Sequence, residues 1–166
     1  WLNPRLAALQ SEAIRDAFSQ RFPEQAAAFA ANFEALKRDL MELDTELDAV
    51  VKPNRDRPVV FSHPIYQYFQ RRFAVNSRNL HWEPKEYPNG EEWKKLEALR
   101  KKHAFKAVIW EAEPAERTVD KLKSLGVISV VFSPCANVPE TGDFLSAMKR
   151  NAESLKAAYG ASTQQR

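Results

Sequence analysis

The 166-residue chain carries 25 basic and 22 acidic residues for a net charge of +3, is 44% apolar and has one cysteine. That length and apolar fraction suit one compact domain with its own core, and no run approaches the roughly 18 apolar residues of a membrane span. The two charge signs are interspersed along helix faces, which gives no basis for a nucleic-acid footprint, and Cys135 has no partner for an internal disulfide.

Two helices are expected first. Asn3 is an N-cap with Pro4 at the first helical position, and Leu6, Leu9, Ile14 and Phe18 form an irregular apolar stripe up to Phe22. Pro23 restarts the helix. Phe29, Phe33, Leu36, Leu40, Leu43, Leu47 and Val50 then recur at alternating four- and three-residue steps as far as Lys52-Pro53. At about 1.5 Å per residue a helix of about 28 residues is roughly 42 Å long, more than the width of a small α/β domain.

After Pro53 the texture alternates. Apolar runs at Pro58-Val59-Val60-Phe61, Leu80-His81-Trp82, Ala107-Val108-Ile109-Trp110 and Ile128-Ser129-Val130-Val131-Phe132 have the length and the β-branched or aromatic content of strands. Helical stretches are expected at 64–74, 90–103, 115–125 and 142–159, with Asn89-Gly90 as a turn and Gly126 as a C-cap. This βαβαβαβα order predicts an α/β fold, a four-stranded parallel sheet with helices on both faces. Residues 1–53 are then a helical hairpin with a long backbone helix, 54–160 an α/β lobe and 161–166 a disordered tail.

Ligands of open parallel sheets bind outside the carboxyl ends of the strands. Four loops lie there: Ser62-His63-Pro64, Glu83-Pro84, Glu111-Ala112-Glu113-Pro114 and Ser133-Pro134-Cys135. His63 offers an imidazole suited to zinc or manganese, and Glu111 and Glu113 offer hard oxygens, although each of these residue types also serves at helix N-termini. His81 and His103 are expected to be incidental to the chemistry. The chain lacks G-x-G-x-x-G, the P-loop pattern and G-x-S-x-G, which removes the usual nucleotide and nucleophile-elbow signatures.

Several segments together resemble one family. Trp1-Leu2-Asn3-Pro4, the leucine pattern from Asp39-Leu40 to Leu47, Phe61-Ser62-His63-Pro64 followed by Tyr66 and Tyr68-Phe69, Ile109-Trp110-Glu111, and Phe144-Leu145 through Met148, Asn151 and Leu155 are similar to motifs of the periplasmic solute-binding proteins that supply zinc or manganese to ABC importers. The resemblance implies a two-lobed fold bridged by a long helix, with the metal between the lobes. This chain then corresponds to the carboxy-terminal lobe and interlobe helix, a fragment lacking the amino-terminal lobe. Two histidine ligands would lie upstream of Trp1, His63 would be the ligand from this lobe, and membrane permease subunits of the importer would be partners.

Many members carry an aspartate after the last strand where this chain has Ser133. Water, Glu111, Ser133 or a three-histidine site can complete the shell. Because zinc accepts three protein ligands plus water, the serine favours zinc over manganese. With one inferred ligand, the fragment alone is expected to bind weakly. Two other readings stay open: a stand-alone interaction or dimerisation module built on the 29–50 stripe, and a hydrolase using Cys135, His63 and Glu111.

Overall fold

A computed structural model describes residues 1–139 and 141–160; the tail expected at 161–166 lies outside the described residues. Helix α1 (Pro4–Arg21) starts as the sequence requires, with the Asn3 side chain accepting from the Arg5 and Leu6 amides at 3.1 and 3.4 Å. A short turn at Pro23–Gln25 leads into α2 (Ala26–Val51), whose 26 residues span about 39 Å. Four strands follow: β1 (Val59–Phe61), β2 (Ser77–Asn79), β3 (Ala107–Trp110) and β4 (Ile128–Val131). The intervening and final helices are α3 (Gln67–Phe73), α4 (Gly90–Lys102), α5 (Glu116–Ser124) and α6 (Phe144–Tyr159).

All strand pairs are parallel, in the order β2-β1-β3-β4. Period-two alternation sends Val59, Phe61, Ala107, Ile109 and Val130 to one face, against Leu43, Leu47 and Val51 of α2, Phe69 of α3 and Leu155 of α6. Val60, Val108 and Trp110 go to the other face, against Trp93 and Leu96 of α4 and Leu122 of α5. Burying each such Leu, Val or Phe contributes about 1.5–3 kcal/mol, so both helical layers are held by the sheet between them.

Two expectations change. The second strand lies at Ser77–Asn79, ahead of Leu80-His81-Trp82, with Val59 opposite Ser77. It is an edge strand of polar, largely exposed residues, so it leaves no apolar run to read. The apolar stripe of α1 is not core: Leu9 is 60% and Ile14 55% exposed. Helix α1 instead buries Pro4 and Ala8, while α2 buries Phe33 and, more densely, Leu40 to Val51, where it crosses the sheet.

One buried carboxylate ties three helices. Asp44 of α2 is 3% exposed and accepts from Arg5 Nε of α1 at 2.9 Å and from Arg72 Nε of α3 at 2.6 Å, with a further bond from Arg72 Nη2. Burial alone raises its pKa, but hydrogen bonds from Arg72 and Arg5, with their charges, outweigh that and hold it below the usual value. At the carboxyl end of β4, buried Asn151 of α6 accepts from the Ser133 amide at 3.0 Å and donates to the Ser133 carbonyl at 2.7 Å. The M-x-x-N spacing thus puts Met148 in the core and Asn151 on the terminus of β4.

Asp44→Asn is expected to destabilise the fold by about 2 kcal/mol at neutral pH, the scale of a hydrogen bond to a charged group. Because the folded pKa is depressed, this contribution is present above the unfolded value of about 3.9 and is lost as pH falls through the folded value. Urea unfolding of both proteins should therefore show a gap at neutral pH that narrows as the pH falls below the unfolded value of about 3.9. Asn151→Ala, which strands the Ser133 amide and carbonyl, should cost about 1–3 kcal/mol in the same assay.

Candidate metal centre

The order β2-β1-β3-β4 makes β1 and β3 the point from which the chain proceeds in opposite directions along the sheet, the position where α/β folds open a crevice. Backbone pairing continues past the strands there. The Ser62 amide donates to the Ile109 carbonyl at 2.8 Å, the Trp82 amide to the Ser62 carbonyl at 2.9 Å, and the Phe132 amide to the Trp110 carbonyl at 2.8 Å. These bonds bring the residues after β1, after the β2 extension and after β3 side by side. The residues are His63, Glu83 and Glu111.

Their ligand atoms all lie within 4.8 Å of one another. The imidazole of His63 is 26% exposed, with Nδ1 at 3.6 Å from Glu83 Oε1, too far for a hydrogen bond. That nitrogen is buried and has no hydrogen-bond partner. A buried nitrogen left in this state facing two carboxylates suits a cation, which would take its lone pair and the carboxylate oxygens together.

Two tryptophans set the carboxylates. Glu83 follows Trp82 and Glu111 follows Trp110; both indoles are buried, with ring centroids 6.1 Å apart, and Trp82 also packs edge-on to Trp93 at 5.0 Å. The Ala115 amide donates to the Pro84 carbonyl at 2.7 Å, joining the two loops directly. Below them, the Tyr66 hydroxyl donates to the Phe132 carbonyl at 2.6 Å. Burial, with the Glu111 charge adding to it, pushes the Tyr66 pKa far up, so the phenol stays a neutral donor.

Glu83, Glu111, Glu113, Ser133 and Cys135 share a cleft of about 1030 Å³. Ser133, expected as a metal contact, lines it with the glutamates; its Oγ accepts from the Cys135 amide at 3.4 Å. Cys135 adopts a left-handed backbone, φ 52°, and packs partly into the core. It is not drawn into the cluster of His63 with Glu111.

His103, read as incidental in the charged end of a helix, is buried, with Nε2 at 2.9 Å from the Val59 carbonyl, a structural contact. His81, read as incidental, instead stands edge-on to His63 at 5.8 Å. Glu83 is the residue that the sequence reading left out of the site. Its Glu-Pro step stands among the strand-end loops read from the sequence, but a glutamate there is as readily a solvated carboxylate as a ligand, and nothing in the sequence singled it out.

The family model for the periplasmic component A of the zinc-uptake complex, ZnuA, matches residues 1–158. The high-affinity zinc uptake system protein ZnuA of Brucella abortus (strain 2308) is 27% identical over 135 residues, which are 81% of this chain and 34% of that protein. The manganese-binding lipoprotein MntA of Halalkalibacterium halodurans is 30% identical over 92 residues, 54% of this chain and 30% of that protein. The chain therefore spans about a third of the length of these relatives.

Among solved structures, the Zn(II)-bound ZnuA-like domain of Streptococcus pneumoniae AdcA superimposes with a TM-score of 0.86 at 22% identity, over 97% of this chain and 63% of that one. The metal-dependent lipoprotein YcdH of Bacillus subtilis gives 0.86 at 19%, over 96% and 63%. These likenesses concern the fold. With residues 1–158 matched, the chain belongs to the family of the periplasmic component A of zinc-uptake complexes.

Proposed function

We propose that this chain is the carboxy-terminal lobe and interlobe helix of a solute-binding protein that captures a transition-metal ion in the periplasm, or from a lipid anchor outside the cytoplasm, and delivers it to the membrane permease subunits of an ABC importer. The observation that carries this reading is the buried, unpartnered Nδ1 of His63 clustered with carboxylate oxygen at the switch point of the sheet. Zinc is the favoured cargo and manganese the alternative. A given set of nitrogen and oxygen donors binds zinc more tightly than manganese, and an imidazole strengthens that order.

Residues 1–53 act as the helical connection and 54–160 as the lobe. His63 and Glu111 contact the ion directly, and Ser133 lines a cleft that Glu111 also lines. Coordination positions that this lobe leaves free are filled by an amino-terminal lobe, so that one ion joins the two. The role is capture and release rather than catalysis. The exposed apolar residues on α1, Leu9 and Ile14 among them, favour one competing reading, an interaction or dimerisation module without a metal.

A polypeptide comprising an amino-terminal lobe and this chain should bind one Zn²⁺ more tightly than Mn²⁺ in competitive titration. His63→Ala should weaken binding by at least ~10-fold, the scale on which even supporting residues of a metal site act. Equal binding by wild type and variant, or a stable dimer indifferent to metal by light scattering, would sink the capture reading and promote the module.

A further inference from the structure

We infer that Glu83 is a third metal-ligating residue, and that with His63 and Glu111 it forms a half-site able to hold a divalent transition ion without a second lobe. The inference rests on the capture reading and adds to it a donor supplied by the loop after β2.

Three observations converge on Glu83. Its Oε1 is the carboxylate atom placed 3.6 Å from the orphaned His63 Nδ1, at a separation that leaves both without a hydrogen bond to each other. Donor atoms from all three residues fall within 4.8 Å, a span that one cation can bridge once the side chains draw inward, since zinc–nitrogen and zinc–oxygen bonds are about 2.0–2.2 Å. The backbone on which Glu83 stands is fixed from both sides, by buried Trp82 against Trp93 and Trp110 and by the Pro84 carbonyl on the Ala115 amide.

The carboxylate itself remains 53% exposed, so it can reach the ion without disturbing the core. Electrostatics agree. Two glutamates held this close repel one another, and a divalent cation turns that repulsion into a neutral site of one imidazole, two carboxylates and one metal.

This donor set answers two sequence-based expectations. The isolated lobe was expected to bind weakly, with His63 as its inferred ligand and Glu111 or Ser133 able to complete the shell; under this inference it offers three donors. The acidic ligand absent at Ser133 has a counterpart in chemistry, though on a different strand end: negative charge flanks His63 from β2 and β3 rather than standing after β4.

The test is a chelator-competition titration of the 166-residue chain with Zn²⁺, beside Glu83→Gln, Glu111→Gln, His63→Ala and the remote control Glu97→Gln, each checked for folding by circular dichroism. Wild type and control should bind one ion alike, and each cluster variant should lose ~10-fold or more. The visible spectrum of the Co²⁺-loaded chain should also change in Glu83→Gln, which a mere change in nearby charge would not produce. Loss in His63→Ala with unchanged affinity and Co²⁺ spectrum in Glu83→Gln would overturn the role of Glu83 and leave the capture reading standing. A chain that binds no Zn²⁺, while a two-lobed polypeptide does, would overturn the half-site. Absence of binding from both would remove the capture reading as well.

Discussion

Strand β1 is paired on both sides by parallel neighbours, and that constraint places the donors of the proposed metal centre. Parallel strands end on one edge, so whatever follows β1, β2 and β3 emerges together. The ladder also continues one step beyond the regular strands, through the Ser62 amide on Ile109 and the Ser62 carbonyl on Trp82. Ser62 thus has both backbone groups occupied by opposite neighbours, and His63 follows immediately. To move the backbone that carries His63 away from either neighbour, at least one of these interior hydrogen bonds would have to break.

The edge is stiff because buried side chains brace it from below. On one face the stacked rings of Phe61, Tyr66 and Phe132 lie at centroid distances of 4.5 and 5.4 Å, and the Tyr66 hydroxyl closes on the Phe132 carbonyl. On the other face Trp82, Trp93 and Trp110 make a contiguous indole cluster beneath the two glutamates. Asn151 then fixes the last of the four strand ends through two hydrogen bonds to Ser133. Such bracing suits a site whose ligands must be positioned before the ion arrives, because little ordering is left to oppose binding.

Much of this was legible in the residues. Asn3-Pro4 announced the first helix, the 107–110 run fell on β3, and the βα alternation implied the parallel sheet that is observed. The strand-end positions of His63, Glu83 and Glu111 were all legible, because they follow from topology alone, but a glutamate at a strand end looks the same whether it is solvated or clustered, and Glu83 was not singled out. The true second strand was not legible, because an edge strand such as Ser77–Asn79 satisfies its backbone with polar residues and leaves no periodic signal. The α1 stripe misled for the opposite reason: Leu9 and Ile14 carry an apolar pattern although the helix packs through Pro4 and Ala8. Periodicity reports which residues are apolar, and it takes the partner element to say which of them are buried.

The distribution of charge bears on what the centre can do. A hydroxyl stands at the β4 terminus, where its Oγ is engaged by the Cys135 amide, while the two clustered carboxylates lie after β2 and β3. The negative potential of these two carboxylates therefore falls beside His63, from the strand ends on either side of β1. A cation drawn to that potential meets the buried imidazole nitrogen in the same place. Of the three side chains Glu83 is the exposed one, whereas His63 and Glu111 are partly buried. An ion carried as proposed needs both behaviours, donors rigid enough to select it and at least one free enough to let it go.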